Sequence, residues 1–183
     1  MRKNNPWRLE LKESLTHIMP LFWHVSFLFF CSLLLGIMFS SLTLTYLAPL
    51  FDNLKSVVSS QGFFPLFLFI FFNNARVAFL SILLGPSIIA PYLFIFTNGI
   101  IIGAVVRAAT PGTLFLLLPH GIFELPAILL SFAYAIKIGR ACLFHRNKLT
   151  DAYAEGFIVL VKLILPLLLF AALIESFLIT VLR

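Results

Sequence analysis

Charge vanishes from this chain in four long stretches: Ser14 to Phe51, Ser56 to Ala75, Val77 to Val106 and Ala108 to Phe123. Each is near or above the roughly 18 apolar residues that mark a membrane-crossing helix. Turn residues between them divide the chain into spans. Span one covers Pro20 to Leu44, and a turn-rich loop with Asp52 and Lys55 follows. Span two covers Gly62 to Leu84 and stops at Gly85-Pro86. Span three covers Ser87 to Val106, and RAATPGT forms the next turn. Span four lies within Leu114 to Ile136 and the residues just after it. The segment KIGRACLFHRNKLTDAYAEG reads as a loop, and span five covers Phe157 to Leu182. The predicted fold is all-α, a polytopic membrane bundle of five transmembrane helices. It forms a single membrane domain, 1–183, with 1–19 as a cytoplasmic or interfacial leader and 20–183 as the bundle.

Two places carry more pattern than a plain span. In the leader, Asn5-Pro6 reads as an N-cap followed by proline at the first helical position. Leu11, Leu15, Ile18 and Met19 then share one face, which predicts a short helix at the interface with Trp7 at headgroup level. The leader is polar for too long to be a secretory signal. In span four, Gly121 to Arg140 already supplies about 30 Å of helix at 1.5 Å per residue. The residues around Thr113–Pro119 are then spare length. They form either the start of one kinked span or a half-helix that stops at Pro119 and restarts.

Composition agrees with the pattern. The chain is 61% hydrophobic and 11% charged, with a mean hydropathy of +1.07. Soluble domains carry about 25% charged residues, so a water-facing surface could not be covered. The net charge of +6 belongs to membrane topology, not to nucleic acid. Arg2, Lys3, Arg8 and Lys12 precede span one; Lys137, Arg140, Arg146 and Lys148 follow span four. Lys55, Arg107 and Arg183 fall at the opposite ends. Under the positive-inside rule this predicts a cell-membrane protein with a cytoplasmic N-terminus. Cys31 and Cys142 should lie at different depths, which argues against a disulfide.

Small residues recur at helix-packing spacing, Gly99 with Gly103 in span three and Ser32, Gly36 and Ser40 in span one. They serve packing within the bundle or a homodimer contact. Against the apolar background, the polar residues inside the spans stand out: Asn73, Asn74 and Arg76 in span two, Asn98 in span three, His120 and Glu124 in span four, Lys162 and Glu175 in span five. A charged group at a helix centre costs about 2.5–3.5 kcal/mol on insertion scales. Asn73 and Asn74 lie about 17 Å from the outer end of span two and Asn98 about 16 Å from the inner end of span three, at 1.5 Å per residue. The amides are therefore near mid-bilayer, Glu124 and Glu175 fall in the outer half, and Arg76 lies one turn below the asparagines.

His120 and Glu124, four residues apart, share a face if their helix is continuous. Three readings remain open for this set. In the first it is structural, the carboxylates pairing with Arg76, His120 or the amides. In the second it forms a pathway for a cation, a proton or a small polar solute, because a carboxyl in low dielectric tends to keep its proton and amides beside a broken helix can coordinate an ion. In the third, more distant, it is a metalloenzyme site. One histidine and one glutamate supply two ligands where catalytic zinc takes three plus water, and the spacing is not HExxH. No metal and no cofactor is expected.

PHGIFELPAI, preceded by FNNARVAFLSILLGP and TNGIIIGA and followed by AALIESF, resembles the stage II sporulation protein M family from about Trp23 to Ile179. Pro119, His120, Gly121 and Glu124 form the most specific block; Asn74, Gly85, Asn98, Gly99, Gly103 and Glu175 match secondary motifs. The resemblance implies a membrane protein without an active site of its own. The sporulation branch works in a complex with peptidoglycan-remodelling partners during engulfment, while the wider family also occurs in archaea and in bacteria that do not sporulate. The expectation is a non-enzymatic scaffold in a membrane complex. It would sit in the bilayer as a homodimer, with membrane or cell-envelope proteins as partners and no nucleic acid.

Overall fold

The computed structural model describes residues 11–49 and 61–181, with the side chains of 111–120 excepted. Asn5, Pro6, Trp7, Asp52, Lys55 and Arg183 lie outside the described residues. Among the described residues there is no strand, and the helices are α1 Leu11–Met38, followed after one turn residue by helical residues 40–49, α2 Phe63–Leu83, α3 Ile89–Ala108, α4 Pro111–Phe144, α5 Leu149–Val159 and α6 Leu165–Val181. A five-residue π-turn, Leu160–Ile164, joins α5 to α6. Five stretches are long and apolar enough to cross a membrane, the last running from Arg146 to Val181.

Several boundaries differ from the sequence reading. Residues 11–19 are the first turns of α1, which runs on through Pro20. They pack inward: Ser14 and Ile18 are buried. The backbone of 111–144 is one helix with no break at Pro119, so the half-helix around Thr113–Pro119 is not a separate element. Neighbouring helices can satisfy the carbonyls that a membrane proline leaves without donors. The expected loop after span four shrinks to the 3₁₀ turn Arg146–Lys148 and its neighbours, because α4 extends to Phe144 and α5 begins at Leu149.

The π-turn has a local cause. Pro166 has no N–H for the Lys162 carbonyl, so the helix widens just before it and the Leu165 amide reaches back to the Leu160 carbonyl. The α2–α3 connection is strained instead. Gly85–Ser87 forms a 3₁₀ turn, and Ile88 sits at φ 57°, ψ −48°, a conformation that a β-branched residue seldom adopts. The turn is pressed against α4. A Cβ on Gly85 would lie 2.7 Å from the Ala135 carbonyl oxygen, and one on Gly139 would lie 2.6 Å from the Gly85 carbonyl oxygen.

Helix α4 is the central post. Every residue from Ala127 to Ile136 is buried, around the full circumference, which marks a core helix. In its most apolar window 72% of residues are buried, against 28% for α1, α2 and α3. The outer helices instead expose Trp23, Phe27, Phe30, Phe64, Phe72, Phe96, Phe170 and Phe177, the surface a bilayer solvates. Contacts set the helix directions. Asn74 meets Glu124 and Ser81 meets Ser131, so α2 and α4 are parallel. His24 meets Tyr92 and, further along, Gly36 meets Ile100, so α1 and α3 are also parallel. Ala172 packs with Leu66 and Ile70 while Phe157 meets Phe79, so α2 runs against the last span. These directions fit five alternating crossings.

The α1–α3 crossing explains the small residues. A Cβ on Gly36 would collide with the Ile100 backbone, one on Gly99 with Ser32 and the Phe29 carbonyl, and one on Gly103 with the Leu33 carbonyl. Close backbone approach is what small residues permit in lipid. All three glycines are thus consumed by packing within the bundle.

Candidate functional site

Four helices converge on a cavity of about 50 Å³: Phe29 from α1, Asn73, Asn74 and Val77 from α2, Asn98 and Ile102 from α3, and Glu124, Leu125 and Ile128 from α4. Asn74 is buried on the inward face of α2, and its amide donates to Glu124 Oε2 at 2.9 Å. Asn73, one residue earlier, is exposed and makes a long contact of 3.5 Å from its amide to Asn74 Oδ1. Asn98 is half-buried, and its amide nitrogen bonds back to the Phe94 carbonyl at 2.8 Å. Its amide oxygen takes no hydrogen bond among the described residues. One carboxylate and three amides from three helices thus surround a space for one or a few waters, each needing about 10–15 Å³.

The other candidates sit elsewhere. Arg76 is exposed on α2 and holds no ion pair among the described residues. Glu175 is half-buried on α6 and is not in the cavity lining. It is one turn beyond Ala172, which packs at Leu66 and Ile70, so it lies about 14 Å further along the bundle than Asn74, at 1.5 Å per residue. The backbone of His120 belongs to α4; its side chain lies outside the described residues. Lys162 is exposed in the π-turn. Among the described residues no three His, Cys, Asp or Glu side chains gather as a metal site would require. Cys31 and Cys142 are both free thiols.

A second polar centre lies at the opposite end of α4, and the sequence reading missed it. Glu155 on α5 is buried. One of its oxygens accepts from the Ser14 hydroxyl of α1 and the other from the Lys137 ammonium of α4. Ser14 also contacts the Tyr134 hydroxyl. Its single proton goes to the carboxylate, so Tyr134 must be the donor to Ser14 Oγ. The chain Tyr134–Ser14–Glu155–Lys137 ties three helices together. The helical spacing of Ala152, Glu155, Gly156 and Val159 could have revealed it, since that face continues span five back through the supposed loop. Charge in a loop draws no notice, whereas charge in an apolar run does.

Next to this centre opens a cleft of about 760 Å³, lined among others by Lys137, Arg140, Lys148, His17 and His145. Neither a curated protein nor a solved structure matches this chain. The sequence pattern that defines stage II sporulation protein M does match, over residues 25–179. That region runs from the middle of α1 nearly to the end of α6 and contains both polar centres apart from Ser14. The chain belongs to the stage II sporulation protein M family.

Proposed function

We propose that this protein is a non-enzymatic assembly component of a membrane complex. The observation that carries the reading is the size of the intramembrane cavity. At about 50 Å³ it is far below the roughly 300–1,000 Å³ of small-molecule sites. Its polar groups join the protein's own helices: Asn74 to Glu124, and one level along, Ser81 to Ser131 at 3.1 Å. What needs cover is outside. Asn73 and Arg76 are exposed on α2 within an apolar span, and such groups normally pair with something in the membrane. A second copy of the chain or an envelope protein with an acidic intramembrane residue would satisfy them. The setting proposed is the cell membrane with the N-terminus cytoplasmic. External thiol labelling of single cysteines should then reach position 61 and not position 145.

A second reading rests on the same convergence of Glu124 with Asn73, Asn74 and Asn98. A hydrated carboxylate among amides could pass a proton or a small cation. One experiment separates the two. Wild-type and Glu124→Gln proteins, each shown to be folded, are reconstituted in liposomes and assayed with a panel of monovalent and divalent cations and a pH-sensitive dye. The scaffold reading expects no flux from either and a lower melting temperature for the variant. Flux in the wild type that Glu124→Gln abolishes would overturn it.

A further inference from the structure

The basic cleft is the larger cavity, and neither the family assignment nor the assembly role uses it. Its floor is the Glu155 network, in which Lys137 is already neutralised by Glu155. Arg140 and Lys148 remain, exposed and without ion pairs among the described residues. His17 from α1 and His145 from the α4–α5 turn flank them, with Asp151 as the one exposed acid. Leu21, Ala141 and Phe144 add apolar surface to the lining.

A second cavity of about 420 Å³ continues from it. Leu21 and Arg140 line both. The remainder of the second lining is Pro20, His24, Ile88, Tyr92 and Ile136, mostly apolar. The two are consecutive in depth. Along α1 the lining passes from His17 through Leu21 to His24, and along α4 from Phe144 through Arg140 to Ile136. Both paths run from the charged end of the bundle into the apolar span. A cationic chamber at the headgroup level thus opens into an apolar one nearer the membrane interior, with a guanidinium at the junction.

We propose that these joined cavities bind one anionic phospholipid. Its phosphate would sit between Arg140 and Lys148, with an acyl chain along Leu21, Ile88, Tyr92 and Ile136. Arginine's planar fork suits phosphate oxygens, and a lysine adds a point charge. A free phosphate would use only the first chamber; the apolar continuation favours a lipid. The cleft fits a bound lipid better than a diffuse basic surface because residues of three helices line it, a satisfied ion pair lies beside it, and it continues into an apolar cavity.

The test uses full-length protein in nanodiscs containing a phosphatidylglycerol and phosphatidylcholine mixture, released for native mass spectrometry. One retained phosphatidylglycerol is expected, with retention falling at least tenfold in Arg140→Ala/Lys148→Ala and unchanged in Arg107→Ala at the other end of the bundle. Both substituted side chains are exposed, and a melting curve confirms folding. Equal retention by wild type and double variant would overturn the proposal. So would loss of the lipid to millimolar inorganic phosphate, which would assign the site to the free anion. Equal retention of phosphatidylcholine would show an acyl-chain preference with no headgroup recognition and would also overturn it.

Discussion

Replacing Glu155 by alanine should be among the most damaging single changes in this protein. The carboxylate receives the Ser14 hydroxyl on one oxygen and the Lys137 ammonium on the other. Its side chain is 12% exposed and that of Lys137 29%. Breaking a buried ion pair by removing one partner costs about 3–5 kcal/mol because the other charge is left without compensation. Lys137, however, lines the open basic cleft and can turn to water there, so the lower part of that range applies, discounted for solvent screening, at about 2–3 kcal/mol. Part of that cost belongs to the Tyr134–Ser14 arm, which loses its terminal acceptor. Glu155→Gln should not rescue it. The amide keeps an oxygen for Ser14 but turns a donor toward the Lys137 ammonium. A double-mutant cycle separates the terms. With Glu155→Ala and Lys137→Ala the coupling should be about 1–2 kcal/mol, within the range for contacting residues. The assay is reversible unfolding in mixed micelles or lipid, followed by tryptophan fluorescence. A coupling below about 0.5 kcal/mol, the ordinary error of additivity, or an unchanged stability in Glu155→Ala, would refute the reasoning.

Gly36→Leu should loosen the α1–α3 crossing, since its Cβ would lie 2.8 Å from both the Ile100 carbonyl carbon and Cα. Overpacking of this kind costs about 1–3 kcal/mol, while Gly62→Ala, with nothing within 4 Å, should change stability by less than about 0.5 kcal/mol; equal effects in thermal melts would contradict this account. Ile88→Gly removes a half-buried side chain but also the strain of a positive φ, worth about 1–3 kcal/mol. It should therefore cost less than Ile101→Gly in the regular part of α3 by about that strain, and a larger cost at 88 would show that the backbone there is unstrained.

How much could be read from residues alone follows from where each group sits. The spans were legible because lipid demands long apolar helices, so the apolar runs map onto α1, α2, α3, α4 and the last span. The Asn74–Glu124 pair was approachable because each residue interrupts an apolar run, and depth counted at about 1.5 Å per residue puts the amide at mid-bilayer and the carboxylate in the adjoining outer half. Glu175 shows the limit of counting. It lies in the outer half like Glu124, yet the register of Ala172 against Leu66 and Ile70 carries it past the amides. Proline misled in the other direction. Pro20 read as the start of a span and Pro119 as either a kink or a stop, but both helices continue, because packing against neighbours decides whether a membrane proline stops a helix. Glu155 and Lys137 were invisible as a pair, since they stand eighteen positions apart in an apparent loop and only the extension of α4 and α5 across it makes them neighbours.

The positions of the two polar centres bear on what the bundle can do. Glu124 and Lys137 are thirteen residues apart on α4, about 20 Å along one helix at 1.5 Å per residue. The first centre ties α4 to α2, the second ties α4 to α1 and α5, and between them the post is buried on all sides from Ala127 to Ile136. Alternating access requires one group of helices to rock against another around a site near the midplane. A central helix clamped at two depths, with glycines locking α1 onto α3 and Gly85 and Gly139 locking the α2–α3 turn onto α4, opposes such rocking at every level. Rigidity of this kind suits a part whose outward faces must be held in fixed register for partners. If instead an inside-open and an outside-open form were trapped by cross-linking α2 to α4 at different registers, the post would have to slide, and the assembly reading would give way to transport.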